Sequence, residues 1–288
     1  MGRRRGERKG DATQSKSLDA FYVYCIGERD ALAPLLEGPL PEAIESGARI
    51  ELAVSNDLAA IISAVPLAAY EEDALRARLA DPTWTARRAM RHEKVVEHFA
   101  SRVTVIPLRF ATLYLQRAGI EQMIWQRQAD LRTIIERLRG REEWGVNIYY
   151  DHAKLMEVIT TISPRLRELS EQAASAPPGQ SYLMRKKIDA MRADEARAEI
   201  KRVAEAIERE LAAFTEGAAR LRVLKGETAE QGEIGAKLAF LVAQSRFNEF
   251  RAAAERAAQE HSVSGFKLEL TGPWPAYNFA SDIERQNR

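Results

Sequence analysis

Phe266-Lys-Leu-Glu-Leu-Thr-Gly-Pro-Trp-Pro-Ala-Tyr-Asn-Phe279 is the stretch on which the reading of this chain turns. Phe266, Leu268 and Leu270 alternate with Lys267 and Glu269, the period of two expected of a half-buried strand. Thr271, Gly272 and Pro273 are expected to stop it, because Pro273 has no N–H for a ladder and Gly272 permits a turn. Trp274, Pro275, Tyr277 and Phe279 follow within six residues, a dense aromatic cluster in a chain that is only 7% aromatic. Such a segment either packs on its own domain or serves as a docking or catalytic loop. The rest of the chain has to decide.

Working back from this strand, the last part of the chain reads as alternating strands and helices. Ser245–His261 has the spacing of a helix, and Leu238–Val242 that of a buried strand. Tyr182 opens a long charged segment with apolar residues at Met184, Ile188, Met191, Ala196, Ile200, Val203, Ile207, Leu211 and Phe214, a pattern of coiled-coil type. Pro177-Pro178-Gly179 separates it from a helix expected over Ala153–Ala174, capped by Asp151 and interrupted at Pro164. Trp144–Tyr150 alternates as a strand. The order strand, helical pair, strand, helix, strand implies an α+β unit, ferredoxin-like in flavour, with a helical hairpin or arm over about 151–217.

The first half shows a different order. Phe21–Ile26 reads as the opening strand, and Ile50–Val54 with Leu58–Val65 as a hairpin turning at Ser55-Asn56-Asp57. Tyr70–Leu79 is expected to be helical, and Asp81-Pro82 to cap and start a helix running to about Ser101. Val103–Phe110 reads as a strand that Pro107 confines to an edge. Ile120–Leu138 has helical spacing and ends near Gly140. The expected organisation is a basic tail over 1–17, an N-terminal α+β domain over 18–140 and a C-terminal domain over 141–288.

Composition narrows the function classes. Lys and Arg total 43 against 42 Asp and Glu, so no net field recruits nucleic acid or an anionic surface. The tail carries six basic and two acidic residues through Lys16, which leaves weak contact with an anionic partner as a minor reading. No run approaches the roughly 20 apolar residues of a transmembrane helix, and no signal-peptide core follows the tail. The single Cys25 excludes an intrachain disulfide and suits a reducing cytoplasm; its apolar strand marks it as buried filler.

Catalytic patterns are weak. His92 and His98 are six apart, about 120° off a shared helical face, so they read as polar positions on an amphipathic helix, not as a metal pair. Gly226–Gly232 lacks the Lys-Ser/Thr end of a phosphate loop. Arg109 lies at a strand end, where a structural ion pair or a small anion is expected. Lys186 and Lys187 read as a solvated face. No cofactor is expected.

Against this background the terminal Leu270-Thr-Gly-Pro-Trp-Pro-Ala-Tyr-Asn-Phe279 resembles the closing motif of the gas vesicle GvpL/GvpF family. Other pieces agree in order: Tyr22-Val-Tyr24, then His92 before Val105-Ile-Pro107-Leu-Arg109-Phe110-Ala-Thr112, which is similar to the family's Pro-x-Arg-Phe-Gly-Thr segment. Trp144-Gly-Val, Pro177-Pro178-Gly179-Gln-Ser-Tyr182-Leu with Lys186, and Ala239–Val242 continue the series to Phe279. The chain departs from the pattern at Ala111, where glycine is usual and a positive φ would be strained, and at Ala276, where a second proline is common. The resemblance implies a two-domain α+β protein and a non-catalytic accessory role in building gas vesicles, through contact with the small shell protein GvpA and other accessory proteins. It implies a location at the gas vesicle within the cytoplasm. The arm and the Thr271-Gly272-Pro273-Trp274-Pro275 to Phe279 segment are the expected contact surfaces. An enzyme using Arg109 and His92 around a small anion, and a regulatory module touching nucleic acid through its tail, are the rival readings.

Overall fold

The computed structural model describes residues 19–224 and 228–280; the basic tail lies outside them. Two compact units emerge, one of residues 19–98 and 109–126, the other of residues 99–108 and 127–280.

The first unit opens with β1 (Asp19–Glu28) and α1 (Arg29–Leu32), followed by the hairpin β2 (Ile50–Ser55) and β3 (Leu58–Pro66). β3 lies between β2 and β1, antiparallel to both. The hairpin closes Ser55 on Leu58, and Asn56 takes φ 56°, a left-handed value that asparagine tolerates better than most residues. Tyr22–Gly27 and Leu58–Ser63 are buried at every position, so both strands are covered on both faces. The helical segment expected over Tyr70–Leu79 is broken at Glu71 into α2 (Leu67–Tyr70) and α3 (Glu72–Leu79). α4 (Pro82–Ala100) starts as expected: the Asp81 carboxylate accepts from the Thr83 and Trp84 N–H groups at 2.9 and 3.2 Å.

The strand expected over Val103–Phe110 shrinks to β4 (Val105–Pro107), in the second unit. Pro107 ends it because it has no N–H to offer. β5 (Leu113–Tyr114), too short for any sequence period, pairs with β1. The helix expected over Ile120–Leu138 is two, α5 (Arg117–Gln126) and α6 (Gln128–Leu138). Arg127, at φ −109° and ψ 18°, breaks the helical geometry between them.

The second unit is built on β6 (Arg141–Tyr150). Asp151 caps α7 (His152–Ile162), accepting from Lys154 N–H at 3.0 Å. Ser163 then caps α8 (Pro164–Ser175), so Pro164 marks a break between helices as expected. α9 (Pro178–Ala212) is one helix of 35 residues that packs against both α7 and α8, so three helices stand where a pair was expected. β7 (Gly217–Leu221), β8 (Thr228–Ala229), β9 (Gly232–Ala243), α10 (Phe247–Ser262) and β10 (Phe266–Trp274) complete it. β7 and β8 have no counterpart in the sequence reading. The main strand order is β10-β6-β9-β7, with every pairing antiparallel.

The core of this unit lies on one face of the sheet. Val146, Ile148, Leu238, Phe240 and Val242 meet Ile207 and Leu211 of α9 and Phe250, Ala253 and Ala257 of α10. The Phe240 and Phe250 rings lie 5.4 Å apart, and Trp144 stacks on Phe247 at 4.3 Å. Fully burying such side chains contributes roughly 1.5–3 kcal/mol each. Contrary to expectation, β10 does not stop at Pro273. The ladder is interrupted after Thr271 and resumes where Trp274 pairs with Glu143. Gly272, at φ 121°, supplies the left-handed step that the bulge requires.

Candidate functional site

The terminal motif is fastened to its own sheet. Trp274 pairs with Glu143, Glu143 with Leu241, and Leu241 with Gly217, so one rung crosses all four main strands. The chain after Trp274 runs back along this rung, on the face opposite the helical core. Asn278 donates to Glu143 twice, from its backbone N–H to Oε2 at 2.9 Å and from Nδ2 to Oε1 at 2.5 Å. Burial pushes the Glu143 carboxyl above the usual carboxylate range, and the two donors only partly counter this. Arg137 donates to the Phe279 carbonyl. The Phe279 ring covers Gly217, where a Cβ would lie 3.1 Å from it. Pro275 and Ala280 are buried, and Tyr277 and Phe279 half-buried.

Trp274 is the exception, 50% exposed. Its indole N–H donates to Thr271 Oγ1 at 3.1 Å, and Thr271 sits against Gly145, where a Cβ would lie 2.5 Å from that oxygen. Thr271, Gly272 and Pro273 therefore set the bulge that carries Trp274.

The Pro107–Thr112 positions have mixed fates. Pro107 is buried in β4, Arg109 is exposed, and the Thr112 hydroxyl donates to the Arg109 carbonyl at 2.8 Å. Phe110 packs beside Tyr22 and His92. Ala111 adopts φ 68°, the conformation for which glycine is the usual choice, and its N–H donates to the Tyr22 hydroxyl at 2.9 Å. His92 is 3% exposed, not a surface position of its helix. Its Nδ1 lies 2.9 Å from the Tyr22 hydroxyl, and its ring stacks on Tyr24. Tyr24 donates to or accepts from Ser63 Oγ at 2.8 Å and accepts from Ile44 N–H at 2.7 Å, and burial pushes its phenol up to about 12. This buried network is a packing device. His92 sits within it, while Arg109 is exposed.

At the start of α9, Pro177 is extended and Pro178 takes the first helical position. The Pro177 carbonyl accepts from Ser181 N–H at 2.9 Å. Ser181 is buried, which turns the next two side chains outward: Tyr182 is 60% and Leu183 68% exposed. Gly179, Arg185, Lys186 and Lys187 are exposed too, and Lys186 Nζ lies 5.9 Å from the Tyr182 ring centroid. Leu183 was not singled out by spacing, because it falls off the apolar stripe of the helix. Glu143 gave no local signal either, since its partner lies 135 residues away.

A cleft of about 440 Å³ lies between α9 and the outer strands, lined by Arg197, Lys201, Arg220 and Lys237 among others. Asp194 pairs with Arg197, Glu205 with Lys201 and Glu208 with Arg220, so little positive field is left for an anion. Among the described residues no group of three metal-ligating side chains comes together, and no helix is long and apolar enough to cross a membrane.

Residues 20–281 match the model of the family described as gas vesicle synthesis protein GvpL/GvpF. Gas vesicle protein L of a Streptomyces species is 30% identical over 91% of this chain and 93% of its own length. Gas vesicle protein L2 of Halobacterium salinarum is 25% identical over 92% of each chain. In fold, the chain is similar to the crystal structure of GvpF from Anabaena, with a TM-score of 0.62 at 16% identity over 91% of this chain and 96% of that one. GvpF from Microcystis aeruginosa gives a TM-score of 0.55, again at 16% identity.

Proposed function

Since this chain belongs to the gas vesicle GvpL/GvpF family, we propose that it is a non-catalytic accessory protein of gas vesicle assembly, working at the vesicle within the cytoplasm. It binds the shell protein GvpA and other vesicle proteins. The second unit is read as ferredoxin-like, with α7, α8 and the first half of α9 inserted as an arm; its β10-β6-β9-β7 order supports that reading.

The observation that carries the proposal is the exposed Tyr182–Leu183 pair on a helix start flanked by Arg185, Lys186 and Lys187. Two large apolar side chains left mostly exposed gain little from folding there, and aromatic anchors of this kind concentrate interface energy. Trp274 is a second anchor, on a rigid bulge. Tyr277 and Phe279 are committed to the sheet and hold that bulge in place.

Co-expression with GvpA and the other vesicle proteins, followed by co-purification, tests the reading. Tyr182→Ser plus Leu183→Ser should lose GvpA while keeping the melting temperature, and Trp274→Ala should weaken retention. Full retention by the triple variant would remove both surfaces. Deleting the end of the chain would not be a clean test, because it strips Glu143 of its donors.

A further inference from the structure

β10 is an edge strand: its one partner among the described residues is β6. The strand carries Lys267 and Glu269 on one face and Phe266, Leu268 and Leu270 on the other. On the apolar side α10 leaves an opening of about 190 Å³, lined by Val146, Ala254, Ala258, Leu268 and Leu270, with Arg251 and Glu255 at its rim. Phe266 is buried, whereas Leu268 and Leu270 are only half-buried. An unpaired edge beside an apolar opening is the geometry that accepts one more strand.

We propose that the occupant is a second copy of this chain, paired antiparallel through β10 about a two-fold axis at Leu268. The charge pattern carries the argument. Opposed residues on two such strands must share a face, so the axis has to pass through a residue. With the axis at Leu268, Lys267 faces Glu269 of the partner subunit and Glu269 faces Lys267 of the partner subunit. Leu268 meets Leu268 of the partner subunit, and Phe266 meets Leu270 of the partner subunit, over the two openings. Moving the axis to Lys267 sets two lysines opposite each other, and moving it to Glu269 sets two glutamates opposite each other. Like charges directly opposed destabilise a pair of strands, so the sequence penalises both neighbouring registers.

Glu269 is held on the polar face of the strand by β6. Tyr149 Oη and Asn147 Nδ2 donate to its Oε2 at 2.6 and 3.1 Å, which fixes the carboxylate on its face and holds its pKa below the usual range. Lys267 is exposed beside it. Lysine on an edge strand repels indiscriminate pairing, and a second β10 supplies the acid that neutralises it. With the axis at Leu268, the start of β10 at Phe266 limits the shared edge to Phe266–Leu270, and Pro273, with no N–H, lies beyond it.

Light scattering of the full chain over a concentration series tests the proposal, with a reversible monomer–dimer equilibrium as the expected result. Lys267→Glu, at an exposed position, should weaken the dimer about tenfold or more by opposing like charges twice across the axis. Mixing Lys267→Glu with Glu269→Lys should restore a heterodimer, because each strand then offers what the other lacks. Amide exchange over Phe266–Leu270 should slow with concentration in the wild type and not in Lys267→Glu, a readout that stands if Glu269→Lys fails to fold. A wild type that stays monomeric, or a dimer indifferent to Lys267→Glu, overturns the proposal.

Discussion

Asn278 donates both its backbone N–H and its side-chain amide to the two oxygens of Glu143, a carboxylate that is 4% exposed. Removing the side-chain donor leaves a buried oxygen unpaired, so Asn278→Ala should cost about 1–3 kcal/mol. The pH dependence has a definite sign. The folded pKa of Glu143 is raised above its unfolded value, so the folded state holds the extra proton between the two values. Stability from this group is greatest at acid pH and is lost as pH rises through that window. Asn278→Ala removes a donor that favours the ionised form, so its penalty should be larger at neutral pH than near pH 5. Urea unfolding at both values measures it, and an equal penalty would show that Asn278 does not act through the carboxylate.

Gly145 and Thr271 form a second tight pair. An alanine Cβ at Gly145 would stand 2.5 Å from Thr271 Oγ1. Gly145→Ala should destabilise by about 1–3 kcal/mol through overpacking. Thr271→Ala removes the clashing oxygen, and the double variant should recover part of the loss in a double-mutant cycle. Additive penalties would mean that backbone strain, not the hydroxyl, sets the cost.

Ala111 invites a stabilising change. Its φ of 68° belongs to the left-handed region, where a Cβ costs roughly 1–2 kcal/mol. Ala111→Gly relieves this at the expense of unfolded-state entropy, for a net gain of roughly 0.5–1 kcal/mol. Thermal melting should show a higher midpoint. Tyr22→Phe should act oppositely, removing the hydroxyl that Ala111 N–H and His92 Nδ1 both bond.

Cys25 is fully buried, and burial pushes its thiol well above the ordinary range. A thiol reagent should leave the native chain unmodified at neutral pH and label it fully in denaturant, because only the thiolate of an accessible cysteine reacts. Rapid labelling of the native chain would mean that β1 opens locally.

What the sequence revealed follows how local its causes are. Asp81, Asp151 and Pro164 act on neighbours within a turn, and each marks a helix boundary where it was expected. The hairpin turning at Asn56 was readable for the same reason. β5 and β7 were not, because a short strand is defined by the neighbour it pairs with. The bulge after Thr271 likewise depends on a distant neighbour, Gly145 of β6. At the candidate surfaces, the aromatic motif stood out as composition. Its division into a tethered Phe279 and an exposed Trp274 depends on Gly217, some 60 residues away. His92 shows the same limit: helical spacing places it on a face, and only Tyr22 shows that the face is buried.

The return of residues 275–280 across the sheet has a consequence for how the chain is made. During vectorial synthesis Glu143 of β6 emerges 135 residues before Asn278, so it waits without its donors until that segment has been made. This rung of the sheet is therefore completed only after residues 275–280 have been made. A truncation before Asn278 would leave Glu143 buried without these donors and should destabilise the second unit.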